Sequence, residues 1–224
     1  MSVSRAGFLE RVDERAAAEF RAAARPRRYP KGSLLFAEGD RAHEVMVITS
    51  GAVKIVVTAA SGREVVLDVL EAGDLLGEIS AIDGGDRSAT AMALTPVEVL
   101  TVAQTTFQAL VAEHAAVARE LLTLLAARLR GADRRQLEFG ANDAIGRVCQ
   151  RLVELATRYG TDGPGGRMVL TTPLSQQELA SWAGLSREAV VKGLRALRTL
   201  GWVESDGGKV VIVDQESVSQ RALL

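Results

Sequence analysis

Apolar positions change their period several times along the chain. From about Phe8 to Ala24 they recur at helical spacing, which predicts a short amphipathic helix ended by Arg25-Pro26, because the residue before proline is pushed out of helical geometry. From Tyr29 the pattern shortens to runs rich in Val, Ile and Leu: SLLFAE, EVMVITSG, AVKIVVTA and REVVLDVL. Gly39-Asp40, Gly51, Ser61-Gly62 and Gly73-Asp74 separate them. Short strands punctuated this evenly predict an antiparallel barrel or jelly roll, with glycine supplying the positive backbone angles of the turns. Strands resume in ATAMALTPVEVLTVA after an interruption, Gly77 to Arg87, that is neither period two nor long enough for a free helix.

Helical spacing returns with a short helix, Gln104 to Glu113, and a long one over about 115–139. The long helix carries a leucine stripe (Leu121, Leu122, Leu125, Leu129) that narrows to Ala132, Gln136 and Phe139. An under-filled seam of this kind suggests helix packing on helix, with an ordinary core helix as the alternative. Gly140, Asn142 and Asp143 break the chain, and Asn142 or Asp143 can cap the next helix, AIGRVCQRLVELATRYG. Residues 160–166 read as a surface loop. Ser175 and Glu178 form a capping box for one helix, Ala183-Gly184-Leu185 makes a turn, and Ser186 caps a second helix. A hairpin of Trp202–Glu204 with Lys209–Val213 follows, turning at Asp206-Gly207-Gly208. The expected class is therefore α+β: a β-roll sensor domain with a long dimerisation helix in residues 1–140, and a winged helix-turn-helix domain in 141–224.

Composition narrows the chemistry. At 224 residues the chain can hold two modest cores. Lys+Arg 27 against Asp+Glu 28 gives a net charge of -1, so any nucleic-acid surface must be local. The single Cys149 excludes an intrachain disulfide and any cysteine-built zinc or iron-sulfur site within one chain. His43 and His114 lie far apart without a Ser-His-Asp or Cys-His order, so neither a catalytic nor a metal site is expected. A charged N-terminus and the lack of a membrane-length apolar run make a cytoplasmic location, with no membrane partner, the expectation.

Two stretches carry candidate chemistry. In Gly77-Glu78-Ile79-Ser80-Ala81-Ile82-Asp83-Gly84-Gly85-Asp86-Arg87-Ser88-Ala89-Thr90, a glycine opening a helical turn exposes N–H groups that can cradle an anion, and Arg87 adds a forked cation. On physical grounds alone a solvated loop is the commoner outcome for a glycine turn with an arginine. In the second helix of the helix-turn-helix, Arg187, Lys192, Arg195 and Arg198 outweigh Glu188. There Arg187 can fork onto a guanine, Glu188 can accept from a cytosine amino group, and Lys192 can reach a guanine or a phosphate. A solvated charged face is the alternative.

The first stretch resembles the phosphate-binding cassette of cyclic-nucleotide-binding domains, in the setting of the CRP-FNR superfamily of bacterial transcription factors. Ser186-Arg187-Glu188 with Val190 and Lys192 is similar to that family's DNA-reading pattern. The resemblance spans nearly the whole chain. It implies that Gly77, Ile79 and Ser80 form the phosphate-cradling turn, Glu78 takes the ribose 2′-hydroxyl, Arg87 pairs the cyclic phosphate, and Ser88 and Ala89 help hold it. It places Ile55, Leu67 and Leu70 against purine and ribose, and Arg128 near Glu78. Ser175, Gln176, Gln177, Ser186, Arg187, Glu188, Lys192 and Arg195 would face DNA. It further implies a homodimer on a palindromic operator with half-sites of the GTGA type. The effector would be a cyclic nucleotide, cyclic AMP first, and RNA polymerase is a candidate partner. One departure stands out: Ala132 and Asp133 replace the hydroxyl or amide pair that contacts adenine in the cyclic-AMP-responsive members. A constitutive regulator with a degenerate pocket, or a different nucleotide effector, is the alternative.

Overall fold

The computed structural model describes residues 6–207 and 209–223, without the side chains of Phe139 and Ala141. Phe139 of the expected seam and Gly208 of the expected hairpin turn thus lie outside the described side chains and residues. Two compact units emerge, one within Arg5–Arg130 and one within Gly131–Leu224, and the division falls inside the long helix. Among the described residues, no helix is long and apolar enough to cross a membrane.

The first unit begins with α1 (Phe8–Arg11), α2 (Glu14–Ala23), β1 (Arg25–Tyr29), β2 (Leu34–Phe36), β3 (Glu44–Ser50), β4 (Ala52–Thr58) and β5 (Glu64–Glu71). It continues through β6 (Leu75–Leu76), α3 (Glu78–Asp83), β7 (Thr90–Ala93), β8 (Val97–Ala103) and α4 (Gln104–Glu113) into α5 (Ala115–Ala141). The single N-terminal helix read from the sequence is in fact two. Asp13 stays extended between them and caps α2, its carboxylate accepting from the Ala16 N–H at 2.8 Å. Arg25-Pro26, where the helical pattern ends, opens a strand. Proline is tolerated there because β1 is an edge strand, paired with β8 alone in the order β1-β8-β3-β6.

A second antiparallel sheet, ordered β2-β7-β4-β5, closes the roll. Strand alternation explains how β3 comes to be buried on both faces. Met46 and Ile48 join Leu35, Val53, Leu70 and Val99 in one cluster, while Val45 and Val47 join Phe8, Phe20, Phe107, Leu110, Val117 and Leu121 in another. Burying each of those phenylalanines contributes about 1.5–3 kcal/mol, so the helices are anchored by apolar packing. Buried His114 adds a polar tie from the α4–α5 junction to Glu19 of α2, with Nε2 3.0 Å from the carboxylate. Between β3 and β4, Gly51 has φ +86, and a Cβ there would lie 2.2 Å from the Pro96 carbonyl oxygen; no other residue fits.

The second unit holds the end of α5, α6 (Ala144–Tyr159), β9 (Gly160–Asp162), β10 (Met168–Leu170), α7 (Gln176–Trp182), α8 (Arg187–Thr199), β11 (Val203–Asp206), β12 (Lys209–Ile212) and α9 (Gln215–Ala222). Asp143 is the N-cap of α6, accepting from the Gly146 N–H at 2.8 Å. Residues 160–166 are not simply a loop. β9 and β10 form a hairpin around a turn at Pro164–Gly166 and extend the wing pair into one sheet, β11-β12-β10-β9. The hairpin of β11 and β12 is registered Val203↔Ile212 through Asp206↔Lys209.

Candidate functional site

The chain leaves β6 through Gly77, whose φ of +82 swings it into α3. A Cβ at position 77 would lie 2.4 Å from Nη1 of Arg87, so the turn needs glycine for its angle and for the room it gives the arginine. Arg87 is 4% exposed. Its Nη1 donates to the Gly77 carbonyl at 2.9 Å and its Nη2 to the Glu44 carbonyl at 2.6 Å. Nε is buried without a hydrogen-bond partner. Burial lowers the guanidinium's proton affinity, and the carboxylates of Glu44, Glu78 and Asp40 pull the other way.

Glu78, the first residue of α3, is 1% exposed. Arg128 of α5 reaches it: Nη1 donates to Oε1 of Glu78, and Nη2 donates to the Leu75 carbonyl at 2.7 Å. Burial pushes the Glu78 carboxyl above its ordinary value, opposed chiefly by Arg128. Ser80 is held by a bond from its hydroxyl to the Asp86 carbonyl at 3.1 Å.

These groups surround one cleft of about 360 Å³, counting the open solvent at its mouth. Ile55, Leu70, Gly77, Glu78, Ile79, Ser80, Arg87, Ser88, Ala89 and Arg128 all line it. Leu67 does not. The β4–β5 pairing steps from Ile55↔Asp68 to Val56↔Val66, so Leu67 is the extra residue of a bulge and is 37% exposed, away from the cleft wall. Two lining residues, Phe36 and Leu76, escaped the sequence reading. Ala132 and Asp133 are exposed positions of α5 in the second unit.

In the second unit, the Ser175 hydroxyl accepts from the Glu178 N–H at 3.2 Å while the Glu178 carboxylate accepts from the Ser175 N–H at 2.8 Å. This capping box starts α7 and leaves Gln176 and Gln177 exposed. Ser186 caps α8, accepting from the Ala189 N–H at 3.2 Å. Val190, Gly193, Leu194 and Leu197 point α8 inward, where a Cβ at Gly193 would meet Val148 at 3.3 Å. The opposite face exposes Arg187, Glu188, Lys192, Arg195 and Arg198, and the first four line a shallow concavity with Val191. Its own backbone N–H, then the Ser186 hydroxyl, holds the Glu188 carboxyl below its ordinary value, so an acceptor stands among the cations. A chain of net charge -1 thus carries a local cationic face along one helix, beginning at its first residue, a form suited to a major groove.

A family model for the cyclic nucleotide-binding domain matches residues 26–114, and one for the Crp-like helix-turn-helix domain matches residues 146–221. The CRP-like cAMP-activated global transcriptional regulator of Mycobacterium tuberculosis is 34% identical over 220 residues, 98% of this chain and 98% of that protein. The chain belongs to the CRP-FNR family of transcription regulators. Another CRP relative, the cyclic AMP receptor protein of Thermus thermophilus, is 36% identical over 186 residues, covering 83% of this chain and 82% of its own. The solved structure of the c-di-GMP responsive global regulator CLP of Xanthomonas campestris matches with a TM-score of 0.79 at 25% identity, over 89% of this chain and 99% of that one. This CRP-family chain is therefore a DNA-binding regulator with a cyclic-nucleotide-binding domain, and its relatives are regulators of transcription, not enzymes.

Proposed function

We propose that the protein is a homodimeric, operator-specific regulator whose DNA binding is gated by a cyclic nucleotide, cyclic AMP first, held in the cleft of the first unit. The observation that carries this is the buried Arg87, whose Nε has no protein acceptor, in the same cleft as a buried carboxylate at Glu78. A buried cation with a donor to spare suits a phosphate, and a carboxylate acceptor suits a ribose hydroxyl. Arg128 supplies the coupling: a ribose hydroxyl on Glu78 competes with or reinforces the Arg128 bond, so occupancy acts on α5. On the second unit, Arg187, Glu188, Lys192 and Arg195 are the proposed base and phosphate contacts, supported by the caps at Ser175 and Ser186.

Dimerisation through α5 is supported by Leu122 and Leu129, seven residues apart and 69% and 63% exposed. Leu121 and Leu125, by contrast, pack on the roll's own core. Leu122→Asp with Leu129→Asp is expected to give monomers in sedimentation, and a persistent dimer would refute the seam.

Gating is tested by reciprocity. Calorimetric affinity for cyclic AMP is expected to rise about 5- to 150-fold when a palindromic operator is bound, and operator affinity must rise by the same factor with nucleotide. The same titrations with cyclic GMP and cyclic di-GMP rank the effectors. Equal affinities with and without operator would make the protein a constitutive regulator. An Arg187→Ala arm should relax the preference at one guanine while sparing non-specific binding, and uniform weakening would move Arg187 to the phosphates.

A further inference from the structure

Arg87 is held by more than its hydrogen bonds. Its Cζ lies 4.2 Å from the centre of the Phe36 ring, within cation–π range, and Phe36 also lines the cleft. Phe36 ends β2, where the pairing with β7 shifts register between Leu34 and Phe36. The turn after β2 is then bonded directly to the backbone of the arginine: the Gly39 N–H donates to the Arg87 carbonyl at 2.9 Å, and the Arg87 N–H donates to the Asp40 carbonyl at 2.8 Å. Ring and guanidinium are therefore fixed to each other through the main chain. The carbonyls of Gly77 and Glu44 each take one hydrogen, from Nη1 and Nη2, the guanidinium carbon sits over the ring, and Nε is the one nitrogen of the group left without a partner. An arginine side chain has several rotatable bonds. Two backbone acceptors fix the far end of the fork, and the Phe36 ring packs against the guanidinium.

We propose that Phe36 is a positioning residue for the anion site: its ring holds the Arg87 guanidinium so that Nε stays available to a phosphate in the cleft. The assignment rests on reading the cleft as a cyclic-nucleotide site. A leucine would fill similar space and keep the strand, but it has no π face. Tyrosine keeps the ring.

Two measurements on the full chain test this, the first needing no nucleotide. In the wild type the Arg87 Nε–H resonance should be shifted upfield by the ring and exchange slowly with water. Phe36→Leu should return it toward the ordinary arginine position and speed exchange at least about 10-fold, whereas Phe36→Tyr should leave it in place. The second is calorimetric affinity for cyclic AMP. Phe36→Leu should weaken it roughly 5- to 30-fold, the span of a desolvated cation–π contact, and Phe36→Tyr should restore it. In an Arg87→Leu background, Phe36→Leu should add less than about 2-fold, since a residue acting through the arginine has nothing left to position. Equal losses in both backgrounds, or an Nε–H resonance that ignores Phe36→Leu, overturns the proposal. A wild type that binds no cyclic nucleotide defeats the reading of the cleft, and the resonance of Arg87 still decides the role of Phe36.

Discussion

Replacing Arg151 with alanine is expected to lower the unfolding free energy of the second unit by about 3–5 kcal/mol, the usual consequence of breaking a buried ion pair on one side. Arg151 is 2% exposed on α6. It donates through Nη2 to Glu138, near the end of α5, and through Nη1 to Glu154 at 3.0 Å, and its Cζ lies 5.1 Å from the Trp182 ring. The Glu154 side chain is 36% exposed and can be hydrated when the arginine goes. Glu138, at 12%, is far less open to water, and its stranded charge dominates the loss. Removing both partners should behave differently. Arg151→Met with Glu138→Met replaces charge by apolar volume and should come out within about 1 kcal/mol of the wild type, or above it. Denaturant titration followed by tryptophan fluorescence isolates the unit, because both tryptophans, Trp182 and Trp202, belong to it. A loss below about 1 kcal/mol for Arg151→Ala would show that the pair is solvated in the folded protein.

The parts of this architecture that were legible in the sequence share a physical reason: their local signals were strong enough to need no partner. α4 falls on Gln104–Glu113 as read, and α5 opens at Ala115. Asp143 caps α6, Ser175 with Glu178 boxes α7, and Gly51 turns β3 into β4 because glycine alone fits there. What was not legible depends on the rest of the chain. The helical spacing of Phe8, Ala16, Ala17 and Phe20 runs on through Asp13, so the sequence shows one helix where a cap makes two. β1 is RPRRY, a strand by virtue of pairing with β8 and not by propensity. β9 and β10 are three residues each and α9 buries only Val218 and Ala222, too little pattern to stand out. In the cleft, the contiguous cassette was readable, since Gly77, Glu78 and Arg87 converge within eleven residues of chain. Phe36 arrives from a strand about fifty residues away, and Leu67 turns out because of a bulge; sheet register decides both. The burial of Arg87 was missed as well, because a loop rich in glycine and aspartate reads as solvent-facing.

That burial sets the terms for Arg87→Leu, which is expected to reduce cyclic-nucleotide affinity by about 2–4 kcal/mol, roughly 30- to 1000-fold, through loss of a charge-assisted pair. Were the arginine on a mobile surface loop, folding would be indifferent to the change. It is not on one: leucine leaves the carbonyls of Gly77 and Glu44 without their buried donors, at about 1–3 kcal/mol for each group that finds no water. Removing a desolvated charge offsets part of this. The net expectation is a first unit that melts several degrees lower and still folds. Glu78 feels the loss too, since Arg87 is one of the charges that pull its carboxyl down against burial. In the variant that carboxyl should move further up, and residual nucleotide binding should depend more steeply on pH, weakening as acidification protonates the ribose acceptor. Arg87→Lys separates the two roles. A lysine restores a positive charge to the cleft but cannot fork between Gly77 and Glu44, so it should recover some affinity and little of the melting temperature. Calorimetry beside thermal denaturation reads both quantities. Wild-type affinity in Arg87→Leu would move the anion site elsewhere, and an unchanged melting temperature would mean that water satisfies both carbonyls.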